Sequence, residues 1–412
     1  MRRRSLVQLA ASVAFLFHFP LIAQSVGARP YVVLVSLDGF RYDYAKRYHA
    51  GNLLALGKAG AYAEAMIPSF PTVTFPNHIS IVTGQYPEHH GIVGNSFWDP
   101  KLQQMYSMNR ASTESAFYHY KPIWVVAEEQ RVKTAAMFWP TSDAEIEGVR
   151  PTYWEPYDGH VPNQERVAKV LAWLKLPEAE RPHFLALYFS DVDSAGHSHG
   201  PDSPETADAV HRVDKLIGDL WSGLKALPFG VNLIVVSDHG MQTTEGSVDL
   251  SRFTDLSKVK VVTEGPVAFI YAPDSQTAAQ VYGALKGKSS LFDVYYRKDT
   301  PSNWHFNEGE RIGDLVVCVK APVSIIAGPR ERPESSGPPR ANSSRGAHGF
   351  DPAGFKTMQA IFYAAGPNIR PGVVLPAFEN VNVFPLLAKI LEIQSPPGID
   401  GSEKVLDPAY RE

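Results

Sequence analysis

The chain has 412 residues, of which 44% are hydrophobic and 20% charged, and its formal charge is -4. That is ample for a large buried core, in one large domain or two to three smaller ones. The slight acidic balance argues against a dedicated nucleic-acid binder, which would carry a basic surplus.

The first residues differ in kind from the rest. Arg2, Arg3 and Arg4 precede an apolar run from Leu6 to Ala23, and Val26, Gly27 and Ala28 follow. A basic start, an apolar middle and small residues at the end read as a secretory signal peptide over residues 1–28. An uncleaved membrane anchor is the alternative, but the run is short, and His18 and Pro20 interrupt it. Cys318 is the only cysteine, so no internal disulfide can form. An exported chain of this size without disulfides fits a bacterial periplasm better than an animal cell surface.

Tyr31 to Leu37 is a continuous apolar run that stops at Asp38. Between Pro71 and Gly84, Pro76 suits a first helical turn and Gly84 a C-terminal stop. Thr74 then lies at or beside a helix N-terminus, where free N–H groups favour phosphate; taken alone, this segment reads more readily as a plain N-cap. Phe184 to Phe189 is a second apolar run, followed by Ser190-Asp191-Val192-Asp193. From Thr206 to Leu227, Val210, Val213, Ile217, Leu220 and Leu224 recur at helical spacing, which predicts a packing helix. Val231 to Val236 is the third run, ending at Ser237-Asp238-His239.

Residues 241–345 look less regular and read as an elaboration on the sheet, with Cys318 inside a short buried strand. Within that region, residues 328–346 are rich in Pro, Ser, Gly and Arg, the composition of a flexible loop. Gln359 to Ala364 is the fourth apolar run. Short buried runs with helical patterns between them predict the parallel strands of an α/β sheet.

Acidic and imidazole side chains gather at the carboxyl ends of these runs, the edge where open α/β sheets bind ligands. Asp38 ends the first, Asp193 and His197 follow the second, Asp238 and His239 end the third, and His348 precedes the fourth. Asp and His in these proportions suit zinc, which takes carboxylate oxygen and imidazole nitrogen. Each alone is an ordinary turn or surface residue; the accumulation near strand ends is what points to a metal site.

Taken in order, Leu37-Asp38-Gly39, Thr74-Phe75-Pro76-Asn77-His78, Tyr86-Pro87-Glu88-His89-His90-Gly91, Asn95, Asp193 to His197, Ser237-Asp238-His239-Gly240-Met241 and His348-Gly349 resemble the motifs of the nucleotide pyrophosphatase/phosphodiesterase family of the alkaline phosphatase superfamily. The resemblance covers roughly residues 30 to 395. It implies an alkaline-phosphatase-like three-layer α/β sandwich, with a mostly parallel central sheet, helices on both faces and a smaller inserted region. Residues 29–412 would form a single catalytic domain. It also implies two zinc ions, one held by Asp193, His197 and His348 and the other by Asp38, Asp238 and His239, with Thr74 approaching the second. Thr74 would be the nucleophile, forming a phospho-threonine intermediate. Asn95, with a backbone N–H near Phe75, would bind a non-bridging phosphate oxygen.

Superfamily members that cleave monoesters place extra cations at the phosphate, whereas these motifs offer Asn95 and no Arg or Lys, which favours a diester. Phe75, Tyr157 and Tyr188 match aromatics that flank the base in nucleotide-cleaving relatives, and stacking tolerates any base. A nucleotide diester or anhydride giving a nucleoside 5'-monophosphate is therefore the expected substrate. Glu155 and Asp158 near Tyr157 keep a choline-lipid substrate open, since an ammonium group wants an acidic or aromatic cage. A phosphonate or phosphomonoester hydrolase and a non-catalytic binding protein on the same fold are the further readings. No stable membrane span is expected after cleavage of the leader.

Overall fold

The computed structural model describes residues 29–110, 112–328 and 345–412. The expected leader over 1–28 and most of the expected flexible loop, 329–344, lie outside the described residues. The Tyr31–Leu37 strand is wholly buried and alternates strictly. Tyr31, Val33, Val35 and Leu37 enter one core, and Val32 and Leu34 enter another on the opposite face. A strand buried on both sides must be covered by a layer on each, and this one is. The Gly51–Ala59, Asn163–Leu174 and Pro204–Lys225 helices supply Leu53, Val170, Val213 and Leu220 to the first core. The Thr74–Thr83, Ile123–Glu129 and Val383–Ile390 helices supply Ile79, Val82, Trp124 and Phe384 to the second.

Among the described residues the large sheet has eight strands. In spatial order they are Val373–Leu375, Ala61–Ala63, Phe362–Ala365, Val231–Val236, Tyr31–Leu37, Phe184–Phe189, Thr134–Met137 and Tyr153–Glu155. The last five run parallel, with Val35 beside Val235 on one side and Leu187 on the other. The fourth expected strand differs in two ways. It spans Phe362–Ala365 rather than beginning at Gln359, and it pairs antiparallel to Val231–Val236. A short strand buried on both faces reads the same in either direction, so its apolar run carried no sign of its sense.

Residues 241–345 also differ from expectation. Rather than irregular elaboration, their described part builds a four-stranded antiparallel sheet in the order Lys260–Glu264, Val267–Tyr271, Leu315–Val319, Phe292–Tyr296. Ala268, Ile270, Val294 and Leu315 pack on Val281 and Leu285 of the Ser275–Leu285 helix. Val267, Phe269, Val316 and Cys318 face the other way and join the core that holds Ile79 and Trp124. The small sheet is thus fixed to the large one by shared apolar burial, worth roughly 1.5–3 kcal/mol for each fully buried side chain. Among the described residues, no helix is long and apolar enough to cross a membrane.

Candidate active site and metal centre

Each acidic or imidazole group reaches one edge of the large sheet by a local device. Asp38 follows the Tyr31–Leu37 strand, and its N–H donates to the Phe189 carbonyl of the neighbouring strand at 2.9 Å. Gly39 then turns the chain at φ +69°, a conformation that costs glycine nothing. A Cβ there would lie 2.8 Å from Asp193 Cα, so the turn can rest directly on Asp193, whose N–H donates to the Asp38 carbonyl at 3.0 Å. The Gly39 N–H donates to Asp238 Oδ1 at 3.2 Å. One glycine therefore sets three carboxylates. Gly39→Ala is expected to lower metal affinity by at least about 10-fold, as loss of a supporting contact typically does. Metal content after dialysis at graded metal concentrations checks it.

Asp193 and His197 lie on the Asp191–His199 helix at i and i+4, one above the other. Asp238 and His239 follow the Val231–Val236 strand, and His348 follows the short Arg345–Ala347 strand. The three histidines share one feature. Each ring Nδ1 lies against a backbone carbonyl: His197 on Gly346 at 2.9 Å, His239 on Gly240 at 2.9 Å, His348 on Thr72 at 3.0 Å. A carbonyl only accepts, so each Nδ1 carries the hydrogen, and each Nε2 turns a lone pair inward.

Those lone pairs meet other acceptors. His239 Nε2 lies 3.0 Å from Asp238 Oδ2 and 3.6 Å from Asp38 Oδ1. His197 Nε2 lies 3.0 Å from His348 Nε2 and 3.3 Å from Asp193 Oδ1, and His348 Nε2 lies 3.6 Å from the same oxygen. Asp38 Oδ1, Asp193 Oδ1 and Asp238 Oδ2 are buried without a hydrogen-bond donor. Facing acceptors in a buried site need a positive charge between them. Without an ion, protons do that work. Burial alone would lower His239, yet Asp238 holds it above its ordinary value, and Asp193 does the same for the partly exposed His197. Burial, with Asp238 and Asp193 nearby, raises Asp38 well above the carboxylate range. Burial would also raise Asp238, but His239 and His78 hold it far below. His348 is pushed down to about 3 by burial and by its two imidazole neighbours. The residues fit divalent cations. Asp38, Asp238 and His239 could hold one, and Asp193 and His348 another, with either His197 or His239 completing it.

Thr74 is the first residue of the Thr74–Thr83 helix, which ends at Gly84; the N-cap position belongs to Val73. Its hydroxyl is thus free of capping duty and lies 3.3 Å from His239 Nε2. The Phe75 N–H donates to Asn95 Oδ1 at 2.9 Å, so the two expected donors are linked to each other rather than standing side by side. Because Asn95 accepts through oxygen, its side-chain NH2 remains to donate. His78 braces this corner: its Nδ1 lies 2.9 Å from the Thr74 carbonyl, and its Nε2 lies 2.8 Å from Ser36 Oγ.

Beside Thr74 opens a cavity of about 390 Å³, lined among others by Asp38, Thr74, Phe75, Tyr157, Tyr188 and Asp193. All three expected aromatics reach it. Tyr157 is 53% exposed and meets Phe138 and Tyr188 edge-on. Tyr188 is nearly buried, and its hydroxyl donates to Asp38 Oδ2 at 2.6 Å, which ties the aromatic wall to the carboxylates. Glu155 and Asp158 do not line the cavity: Glu155 pairs with Lys169 at 2.6 Å, and Asp158 bonds His160. Asp143 takes the acidic position instead, its carboxyl raised by burial although the Tyr157 N–H faces it. No Arg or Lys lines the cavity among the described residues. A larger groove of about 630 Å³ runs past Asp191, Ser194 and Arg212 but contains none of the clustered ligands.

A threonine at a helix N-terminus, between buried carboxylates and inward-turned imidazoles at one edge of a mostly parallel sheet, defines an alkaline-phosphatase-like α/β protein. The chain belongs to the type I phosphodiesterase/nucleotide pyrophosphatase family, whose model matches residues 32–351. It is 39% identical over 388 residues to mouse ectonucleotide pyrophosphatase/phosphodiesterase family member 1, a match covering 89% of this chain and 41% of that protein. It is 36% identical over 382 residues to an uncharacterised pyrophosphatase/phosphodiesterase of Schizosaccharomyces pombe, covering 89% and 78%. Identity to the venom phosphodiesterase of Macrovipera lebetinus is 35%, covering 90% and 44%. The chain thus spans about two fifths of the length of the mouse family member 1 and venom proteins. Among solved structures, murine ectonucleotide pyrophosphatase/phosphodiesterase 5, as an inactive threonine-to-alanine variant in complex with AMP, superposes with a TM-score of 0.85 at 30% identity. That match covers 93% of this chain and 100% of the other.

Proposed function

We propose that the chain is an exported two-zinc phosphodiesterase/pyrophosphatase that cleaves nucleotide phosphodiester or phosphoanhydride bonds through phospho-Thr74, releasing nucleoside 5'-monophosphates. The observation that carries this reading is the uncapped Thr74 hydroxyl at a helix N-terminus, 3.3 Å from His239 Nε2 and beside buried acceptors that call for cations. Asp193, His197 and His348 would hold one zinc, and Asp38, Asp238 and His239 the other. Bound there, the ions supply Lewis-acid charge to the nucleophilic and leaving oxygens and lower the pKa of water.

The chain's own residues do the rest. At the start of the Thr74–Thr83 helix the Phe75 N–H is taken by Asn95 Oδ1, Pro76 has no N–H and the Asn77 N–H donates to the Val73 carbonyl, so the helix dipole rather than a set of free N–H groups favours an anionic phosphate in front of Thr74. Thr74 gives up its hydroxyl proton to solvent as Oγ1 bonds to phosphorus and the leaving oxygen departs with the electron pair of the broken bond; water then bonds to phosphorus, losing a proton, and Thr74 Oγ1 leaves and is reprotonated. The Asn95 NH2, oriented through its oxygen by the Phe75 N–H, donates to a non-bridging oxygen as charge grows there. A neutral amide and a cavity wall without Arg or Lys suit the single charge of a diester better than a terminal phosphate. Phe75 and Tyr157 offer π-faces to a base, and Asp143 an acceptor to its polar edge. The AMP held by the murine relative supports a nucleotide in this cavity.

Activity of the zinc-loaded protein on p-nitrophenyl thymidine 5'-monophosphate, bis-p-nitrophenyl phosphate and p-nitrophenyl phosphate tests the reading. The nucleotide ester is expected to be the best substrate and the monoester the worst. Tyr157→Ala should raise KM for the nucleotide ester about 10-fold, the loss of one stacking face, with little change on bis-p-nitrophenyl phosphate. Equal rates on the two diesters would sink the nucleotide assignment, and preference for a choline phosphodiester would replace it.

A further inference from the structure

The Gly94-Asn95-Ser96 turn rests on the small sheet. The Asn95 backbone N–H donates to Glu264 Oε2 at 2.9 Å. Glu264 closes the Lys260–Glu264 strand, and Gly265 and Pro266 turn the chain into Val267–Tyr271. A Cβ on Gly94 would come within 3.1 Å of Phe269 and 3.4 Å of Glu264, so the turn sits directly on this hairpin. The same hairpin supports the far side of the site. Gly349, next to His348, holds φ +103°, and a Cβ there would meet Pro266 at 3.0 Å and the Glu264 carbonyl at 3.2 Å.

Glu264 is an expensive residue to keep there. Among the described residues no cation pairs with it, and desolvation pushes its carboxyl up to about 8 despite the hydrogen bond from the Asn95 N–H. A half-buried carboxyl without a cation that grips a turn is explained by what the turn carries. This turn carries Asn95.

We propose that Glu264 is a positioning residue for the reaction: it fixes the Asn95 backbone so that the side-chain NH2, held at its oxygen by the Phe75 N–H, points at a non-bridging phosphate oxygen. The inference rests on the reading of Asn95 as the donor to that oxygen. It gives the small sheet a part in catalysis, although none of its strands supplies a group at the cavity.

The test is a double-mutant cycle on a nucleotide p-nitrophenyl ester with Glu264→Ala, Asn95→Ala and both together, each checked for thermal midpoint. Asn95→Ala should lower kcat about 100-fold, as loss of one such donor does. Glu264→Ala should lower kcat by about 30-fold with KM changed less than about 3-fold, because a small misplacement of a transition-state contact acts on kcat. On the Asn95→Ala background the Glu264 substitution should cost less than about 3-fold, since the contact it positions is already gone. A full additional 30-fold loss there, or an unchanged kcat in Glu264→Ala alone, overturns the proposal while leaving Asn95 standing. Near-normal activity of Asn95→Ala overturns the reading of Asn95, and this inference with it. If Glu264→Ala does not fold, Glu264→Asp, which withdraws the carboxylate by one methylene, takes its place in the cycle. Its expected loss is about 5-fold, vanishing on the Asn95→Ala background.

Discussion

Thr74→Ala is expected to lower turnover by roughly 10⁴-fold or more, the scale of losing a covalent nucleophile, while leaving the fold intact. The side chain caps nothing, since Val73 occupies the N-cap position, and alanine is the better helix former. The thermal midpoint should therefore move by no more than about 2 °C, the range of a substitution without a buried partner. Metal content should hold, because the carboxylates and imidazoles are untouched. The combination of lost turnover, retained fold and retained metal separates a nucleophile from a structural residue. A variant that kept a tenth of its activity would end the phospho-threonine reading.

Removing the metals should act on stability as strongly as on turnover. Asp38, Asp193 and Asp238 each keep a buried oxygen with no hydrogen-bond donor, and the Nε2 atoms of His197 and His348 lie 3.0 Å apart. An ion present at ~1,000 times its dissociation constant stabilises the folded chain by about 4 kcal/mol. For two ions in a protein of this size, chelation should lower the thermal midpoint by on the order of 10 °C. Zinc should restore both the midpoint and turnover. Differential scanning fluorimetry across a chelator titration reads this without a substrate. An unmoved midpoint would mean that the cluster is satisfied by protons alone.

The parts of this site legible in the sequence were those that local rules create. A buried run that stops at Asp38, or at Ser237-Asp238-His239, announces a strand end whatever surrounds it. Pro76 and Gly84 bracket a helix by their backbone requirements alone. Of the small sheet only the Leu315–Val319 strand around Cys318 was legible, because its other strands are five residues long and two of them mix charges such as Lys260, Glu264 and Asp293 into the apolar pattern. Its pairing of Val267–Tyr271 with Leu315–Val319 also spans a long stretch of chain, which no local window sees.

Asp143 and Glu264 were invisible for a related reason. A single carboxylate between Ser142 and Ala144, or at the end of Lys260-Val261-Val262-Thr263, has no neighbour that marks it. The cavity wall and the Asn95 turn that give these residues their roles are built by other parts of the chain. Tyr188 shows the intermediate case. Its aromatic ring suggested a base platform, while the bond from its hydroxyl to Asp38 exists only once the Phe184–Phe189 and Tyr31–Leu37 strands lie side by side.

Arg29 enters the large sheet at the amino end of Tyr31–Leu37, where its guanidinium meets the Leu391 and Glu392 carbonyls. The clustered carboxylates stand at the other end of that strand, roughly 20 Å away at 3.3 Å per residue. Residue 29 therefore joins the fold at the sheet edge opposite the one that carries Asp38, Asp238 and His239. A support attached at that residue would lie about a strand's length from the carboxylate edge. An immobilised version coupled through residue 29 should therefore work as fast as the free one.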